Sequence, residues 1–287
     1  MSHAVSRAGV IRRGGIAMSL IQGRSVLITG GASGIGRIMA GMVLEKRARS
    51  LIIWDIDSQG LDTAVGELRA VHPEVHGHTV NVADLEDVIR ASREAQDTTG
   101  GVDILINNAG VVVGRYFHEH THADIERTLN INTLAPMHIT LEFLPRMLER
   151  GSGHIVNIAS AAGMVANPKM SAYCASKWGV IGWSDSLRLE LERLNPGVKV
   201  TTVAPYYIDT GMFAGVRSLI PLVKPRVAAH RIIRGIEKDR LFVRMPFIVN
   251  LLPLVRGILP LRWFDFVVGR ALRVHSTMNE FKGRTAD

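Results

Sequence analysis

The stretch that most restricts how this chain can fold is residues 25–55. An apolar pentapeptide, SVLIT (25–29), runs into Thr29-Gly30-Gly31-Ala32-Ser33-Gly34-Ile35-Gly36; a helical pattern follows over 35–46, and a second apolar run, SLIIWD (50–55), ends on Asp55. Strand, glycine-rich turn, helix and strand in that order make a βαβ unit. Glycines let the main chain turn tightly and approach a pyrophosphate, while the helix N-terminus offers that anion unpaired N–H groups and a favourable dipole. Asp55, 19 residues beyond Gly36, stands where a carboxylate can accept from both hydroxyls of an adenosine ribose and would repel a 2′-phosphate. Neither Ser33 nor Ile56 supplies a cation to offset that repulsion, so NAD is expected in preference to NADP, with Arg37 as the residue that would soften the preference.

The alternation continues. Helical patterns at 58–71, 85–98, 123–150 and 172–194 are interleaved with apolar runs at 78–82, 104–106, 154–158 and 199–203. Strands this apolar are buried on both faces, as a parallel sheet covered by helices requires. No Pro/Gly/Ser linker divides the 287 residues and no period repeats. The expected fold is therefore α/β: a single Rossmann-like, doubly wound parallel sheet over 23–240 with helices on both faces. Residues 1–22 read as a flexible N-terminal extension without the features of a cleaved signal, Met18 being an alternative start, and 241–287 as an apolar, basic C-terminal extension.

Charge is spread unevenly. The chain carries 34 Lys+Arg against 26 Asp+Glu, a formal +8. Residues 1–24 hold four arginines and no acid, residues 217–287 hold 14 basic and 5 acidic side chains, and the middle is left with 16 basic and 21 acidic. Neither end shows a nucleic-acid motif, so no nucleic-acid partner is expected. The basic C-terminal stretch is also the most apolar: 19 of the 28 residues in 241–268 are apolar. Arg244, Arg256, Arg262, Asp265 and prolines 246, 253 and 260 nevertheless interrupt any run of the roughly 18–20 residues needed to span a bilayer. Short helices broken at each proline suit three roles: packing on the domain or on a neighbouring subunit, roofing a substrate pocket, or lying on a membrane surface. The single cysteine, Cys174, excludes a disulfide framework, reads as a buried structural thiol and implies a reducing, intracellular setting.

Tyr173 and Lys177 stand at i and i+4 of an expected helix, so they meet on one face. An ammonium beside a phenol stabilises the phenolate and lowers a pKa otherwise near 10, which would make Tyr173 a proton donor and acceptor near neutral pH. The order of the 29–36 loop, Asn107-Asn108-Ala109-Gly110, Asn132, Ser160 and Tyr173-x-x-x-Lys177 resembles the short-chain dehydrogenase/reductase family over about residues 23–210. The stretches 54–57 (WDID), 154–163 (HIVNIASAAG) and 172–177 (AYCASK) most resemble its retinol and 17β-hydroxysteroid dehydrogenase branch, whose members act on lipophilic alcohols and often sit on membranes or lipid droplets.

The resemblance implies a role for each matching residue. Tyr173 exchanges a proton with the substrate oxygen; Lys177 holds the nicotinamide ribose and depresses the tyrosine pKa; Ser160 hydrogen-bonds the substrate oxygen; Asn132 anchors a water in the proton relay. By the same resemblance Gly30, Ser33, Gly34, Ile35 and Gly36 form the cofactor loop, with Asp55, Asn81, Val82, Pro205 and Ile208 along the cleft. Asn108 and Gly110 line its adenosine side, and Thr210 touches the carboxamide or phosphates. Two positions depart from the family pattern: Asn81 replaces an aspartate, and Tyr206-Tyr207 follows Pro205 where a glycine is usual.

The reaction expected is hydride transfer between nicotinamide and a lipophilic alcohol or ketone, such as a retinoid, steroid or long-chain compound. Met212, Phe213, Leu219 and Ile220 lie in the segment that covers the pocket in relatives and favour an apolar substrate here. The alternatives are a 3-oxoacyl thioester reductase and a non-catalytic cofactor-binding protein at a membrane surface. A cytoplasmic homodimer or homotetramer, pairing through the helices that begin near Ala123 and Ala172, with peripheral membrane contact through 241–287, completes the expectation. No metal is expected: His118-Glu119-x-x-His122 spells a zinc motif, but Thr121-x-x-Asp124 is a capping box that would start the helix after His118.

Overall fold

The computed structural model describes residues 20–194 and 197–283. The N-terminal extension expected over 1–22 therefore lies outside the described residues up to position 19. Residues 20–22 belong to the body, since Ile21 is 1% exposed within the core.

Seven parallel strands form one sheet in the order β3-β2-β1-β4-β5-β6-β7: β1 Ser25–Thr29, β2 Ser50–Asp55, β3 Val75–Thr79, β4 Ile104–Asn107, β5 Gly153–Ile158, β6 Val198–Pro205 and β7 Phe242–Met245. The order turns back on itself at β1, so the crevice beyond the carboxyl ends of β1 and β4 is where a doubly wound sheet binds its ligand. Strand residues alternate between two cores. Val26, Ile28, Leu51 and Ile53 face α1 (Gly34–Glu45), α2 (Ser58–Arg69) and α7 (Pro225–Glu237). Leu27, Ile52, Trp54 and Leu105 face α3 (Leu85–Thr99), α5 (Ala135–Glu149) and α6 (Ser171–Leu194). Burying both faces is what makes these strands continuously apolar.

Three expectations need correcting. The third strand covers Val75–Thr79 instead of 78–82. Asn81 ends it, because its Oδ1 accepts from Ala83 N (3.1 Å) and its carbonyl from Asp84 N (3.0 Å), folding 81–84 into a turn. The helix expected over 123–150 is two helices, α4 (His122–Leu129) and α5, joined by a π turn at Asn130–Leu134. Pro136 has no amide hydrogen for the carbonyl of Asn132 four residues earlier, so the α-helical ladder cannot close there. The sequence pattern named no element between 203 and the C-terminal short helices, whereas α7 packs Ile232, Ile233 and Ile236 into the core and leads to β7. The boundary expected at 240/241 thus falls directly before a strand of the sheet.

The prolines of the C-terminal segment mark the boundaries of its helical pieces. Pro246 precedes a 3-10 turn at Phe247–Asn250, Pro253 sits in the first turn of α8 (Leu252–Ile258), and Pro260 caps α9 (Leu261–Phe264). The short helices are thus divided at the prolines, each of which starts a piece, where its missing N–H is no loss.

Candidate active site

The cofactor end is built from the tips of β1, β2 and β4. Gly30 and Gly34 have φ of +64° and +57°, the left-handed region that favours glycine, and a methyl group at Gly36 would run into the Gly30 carbonyl. Asp55 Oδ2 accepts from Ala32 N (2.9 Å) and Oδ1 from Asp57 N (3.2 Å), so the carboxylate is held at the lip of the loop. The arrangement fits a dinucleotide: a cradle without side chains at a helix N-terminus, with an acceptor where an adenosine ribose would lie. Thr210 reaches the same loop, since a Cβ on Gly34 would lie 3.7 Å from its side chain.

Asn108 does not use its side chain to line the cleft. Its Nδ2 donates to the carbonyls of Thr29 (2.9 Å) and Gly30 (3.0 Å), while Thr29 Oγ1 accepts from the main-chain N–H groups of Asn108 and Ala109. It staples the glycine loop to β4. Gly110 lies at the reactive end and not on the adenosine side: a Cβ there would be 3.1 Å from Asn132 Oδ1 and 3.7 Å from Lys177 Nζ. Asn81 is exposed with its Oδ1 in the 81–84 turn, Val82 packs at the edge of the core, Ile35 packs against it near Ser33 at the start of α1, and Ile208 bridges Val223 beyond buried Pro205.

At the reactive end α6 presents Tyr173 and Lys177. Lys177 Nζ donates to the Ile158 carbonyl (2.9 Å) and lies 5.8 Å from the Tyr173 ring centroid. Burial lowers the ammonium pKa to about 8. Burial also pushes the Tyr173 phenol up to about 12, against the pull of a hydrogen bond with Ser160. Lys177 stands behind the ring, and it is loss of solvent that sets the direction of the phenol's shift. Asn132, 1% exposed in the π turn, accepts on Oδ1 from Val111 N (2.9 Å) and donates through Nδ2 to Val111 O (2.9 Å) and Ser176 Oγ (3.1 Å). Its side chain holds the strand-end loop, so any part it plays in a relay falls to its main chain.

Ser160, at the end of β5, opens on a cavity walled by Val165, Met170, Tyr206, Tyr207, Phe213 and Ile220 from the body and by Ile248, Val249, Leu252, Val268, Leu272 and Val274 from the C-terminal segment. Of the four residues expected to cover the pocket, Phe213 and Ile220 do so, whereas Leu219 is 59% exposed. The tyrosine pair supplies both bulk and a knot: Tyr206 Oη is bonded to Ser218 Oγ (2.9 Å), and Asn167 Nδ2 donates to Tyr207 Oη (2.8 Å) and Thr277 Oγ1 (2.9 Å). Thr277, fully buried, thereby ties the C-terminus to the body. Arg256 is a second tie, donating to the Met164 carbonyl (2.8 Å) and lying over the Trp178 ring.

Sequence patterning missed Asn157, Asn167 and Thr277, and left the C-terminal wall as one of three roles for 241–287. Asn157 was detectable as a polar residue between Val156 and Ile158 of an apolar strand; it accepts from Asn107 Nδ2 (2.8 Å) and donates to Ser184 Oγ (2.9 Å), locking β4, β5 and α6 together. The zinc spelling dissolves as expected, since Thr121 caps α4 with Asp124 and His118 sits in a separate 3-10 turn. Cys174 is buried against Met170 and Tyr207.

Comparison with known proteins agrees with this geometry. The family model described as short chain dehydrogenase matches residues 24–219. Retinol dehydrogenase 10-B of Danio rerio is 33% identical over 275 residues, covering 86% of this chain and 81% of that protein. Estradiol 17-beta-dehydrogenase 11 of Pongo abelii is 34% identical over 266 residues, covering 88% of each. A crystal structure of a short chain dehydrogenase/reductase from Burkholderia phymatum in complex with NAD superposes with a TM-score of 0.77 at 26% identity, covering 88% of this chain and 97% of that one. An intact Asn132–Ser160–Tyr173–Lys177 set on this sheet, with these relatives, makes the chain an oxidoreductase of the short-chain dehydrogenase/reductase family, in the branch of the retinol and 17β-hydroxysteroid dehydrogenases.

Proposed function

We propose that the protein interconverts a lipophilic alcohol and its carbonyl compound, with NAD preferred over NADP. The observation that carries this reading is that Ser160, hydrogen-bonded to Tyr173, opens on a cavity whose other walls are almost wholly apolar. Such a cavity takes up a hydrocarbon skeleton and leaves one polar spot for its oxygen. The nicotinamide cofactor supplies or accepts the hydride. Tyr173 exchanges the proton at the substrate oxygen, Ser160 holds that oxygen, and Lys177 keeps a positive charge behind the phenol. With its pKa near 12 the phenol is protonated at rest, the form that reduction of a carbonyl requires; oxidation draws on Lys177 to stabilise the phenolate.

Support for NAD comes from Asp55 at the loop lip and from Arg37, whose guanidinium is paired with Glu67 at 2.7 Å and so is already neutralised. Exposed apolar side chains on the outer faces of α5 (Leu141, 64%) and α6 (Leu189, 57%) support a homodimer or homotetramer paired through these helices. We place the protein in the cytoplasm with a peripheral lipid contact through the C-terminal segment; among the described residues no helix is long and apolar enough to cross a membrane.

The test is a spectrophotometric screen of retinoids, steroids and long-chain alcohols with both cofactors, on wild type and Tyr173→Phe. Turnover of an apolar alcohol that falls at least about a thousandfold in the variant, with cofactor binding retained, is the expected outcome. Full activity in the variant would refute the assignment.

A further inference from the structure

The segment 247–277, tied to the body at Arg256 and Thr277, is apolar on both of its sides. Inward, Phe264, Val268 and Val274 are buried with Val165, and Leu252 and Leu272 reach the cavity. Outward, Phe247 is 75% exposed, Leu254 61%, Ile258 69%, Leu261 63%, Trp263 63% and Phe266 54%. A helical segment apolar all round belongs in an apolar medium on both sides, yet among the described residues nothing covers the outer side. Its shape is that of an interfacial element: short helical pieces, each begun by a proline, with a tryptophan on the outer face.

Charge selects the occupant. Residues 244–273 carry five arginines against Asp265 alone, and among the described residues no carboxylate pairs with Arg262, Arg270 or Arg273. Unpaired cations beside exposed apolar side chains match the surface of an anionic bilayer. A second copy of this chain would set arginine against arginine.

We propose that this outer face docks on an anionic phospholipid surface and that the docked segment, being also the roof of the catalytic cavity, admits the substrate from the lipid. The second clause rests on the lipophilic-alcohol reading; the first does not. Phe247, Leu254, Ile258 and Trp263 enter the acyl boundary while Arg262, Arg270 and Arg273 lie among the headgroups. The inner side chains of the same segment then stand between lipid and cavity, so an apolar alcohol passes from one to the other without crossing water.

The experiment uses the whole protein with phosphatidylcholine vesicles, with and without phosphatidylserine, at low and high salt. It compares wild type with the double variant Ile258→Ser, Trp263→Ser, both residues being outside the cavity wall. Wild type is expected to sediment with the phosphatidylserine vesicles, less so at high salt and little with phosphatidylcholine alone; the variant is expected to bind at least about tenfold more weakly. Turnover of a long-chain alcohol carried in the vesicles should fall in parallel, with turnover of a short soluble alcohol kept.

Wild type remaining in the supernatant, or a variant that sediments equally, overturns the docking face. A variant with reduced native mass assigns the face to a second copy and overturns it too. Equal loss on both alcohols overturns the entry route. Sedimentation without turnover of any alcohol leaves docking supported and refutes the catalytic reading instead.

Discussion

Lys177 bears its charge in a place almost without water, and its proton is correspondingly loose. The folded pKa is about 8 against an ordinary 10.5. Below pH 8 the folded protein carries the whole penalty of the buried charge; between 8 and 10.5 the unfolded chain holds a proton that the folded one has shed, so stability rises with pH in that window. Lys177→Met should lose this rise, by up to about 1.4 kcal/mol per pH unit, as read from urea midpoints across the window; identical slopes would show that the ammonium is not desolvated. The i, i+4 spacing placed Tyr173 and Lys177 together from the sequence alone. The direction of their pKa shifts could not be read there, because it depends on the roof and on Ile158, both distant in the chain. Asp55 was readable for a similar reason, a fixed offset from a local motif. Asp55→Ala removes the acceptor of Ala32 N and the negative charge at the lip, and should weaken NAD binding about tenfold while bringing NADP binding level with it. A wild type that binds NADP more tightly would refute the preference.

The elements that sequence patterning located well are those whose burial is two-sided and local: β1, β2, β5 and α6. Where it failed, a single residue redirected the backbone. At β3 the edge position leaves only one face covered, so the run lacks the apolar continuity that marks its neighbours, and Asn81 supplies the turn that ends it. In the α4–α5 helix, Pro136 converts one turn to π geometry and sets Asn132 against Val111 and Ser176. π turns of this kind cluster at functional sites because a regular helix would aim the residue elsewhere. Pro136→Ala restores the missing donor. It should leave stability equal or higher and lower kcat about tenfold, by relaxing Asn132 toward α-helical geometry. An unchanged kcat would remove the π turn from the reaction.

Over the whole molecule, the excess positive charge belongs to the ends and not to the catalytic body, which is net acidic. The sequence left three roles open for 241–287, since an apolar segment does not say what it covers. The fold shows what its inner side covers: the segment lines the cavity beside Ser160, by way of β7, α8 and the knot at Thr277, and the outer side is left for the lipid contact proposed above.

Packed beside the cavity with Met170, Tyr173, Tyr207 and Met278 is the sequence's single sulfhydryl. Cys174 is 6% exposed, points at the Val165 carbonyl (3.8 Å), and has its thiol pushed toward the protonated, unreactive form by burial. Evolution has in effect installed a single-site footprinting reporter. An alkylating reagent can reach it only when this packing opens, the C-terminal Met278 included, so the labelling rate at high reagent concentration becomes a clock for that excursion. Mass spectrometry should show slow labelling, slower still with a saturating apolar alcohol; immediate labelling of the native protein would mean that this packing is no barrier.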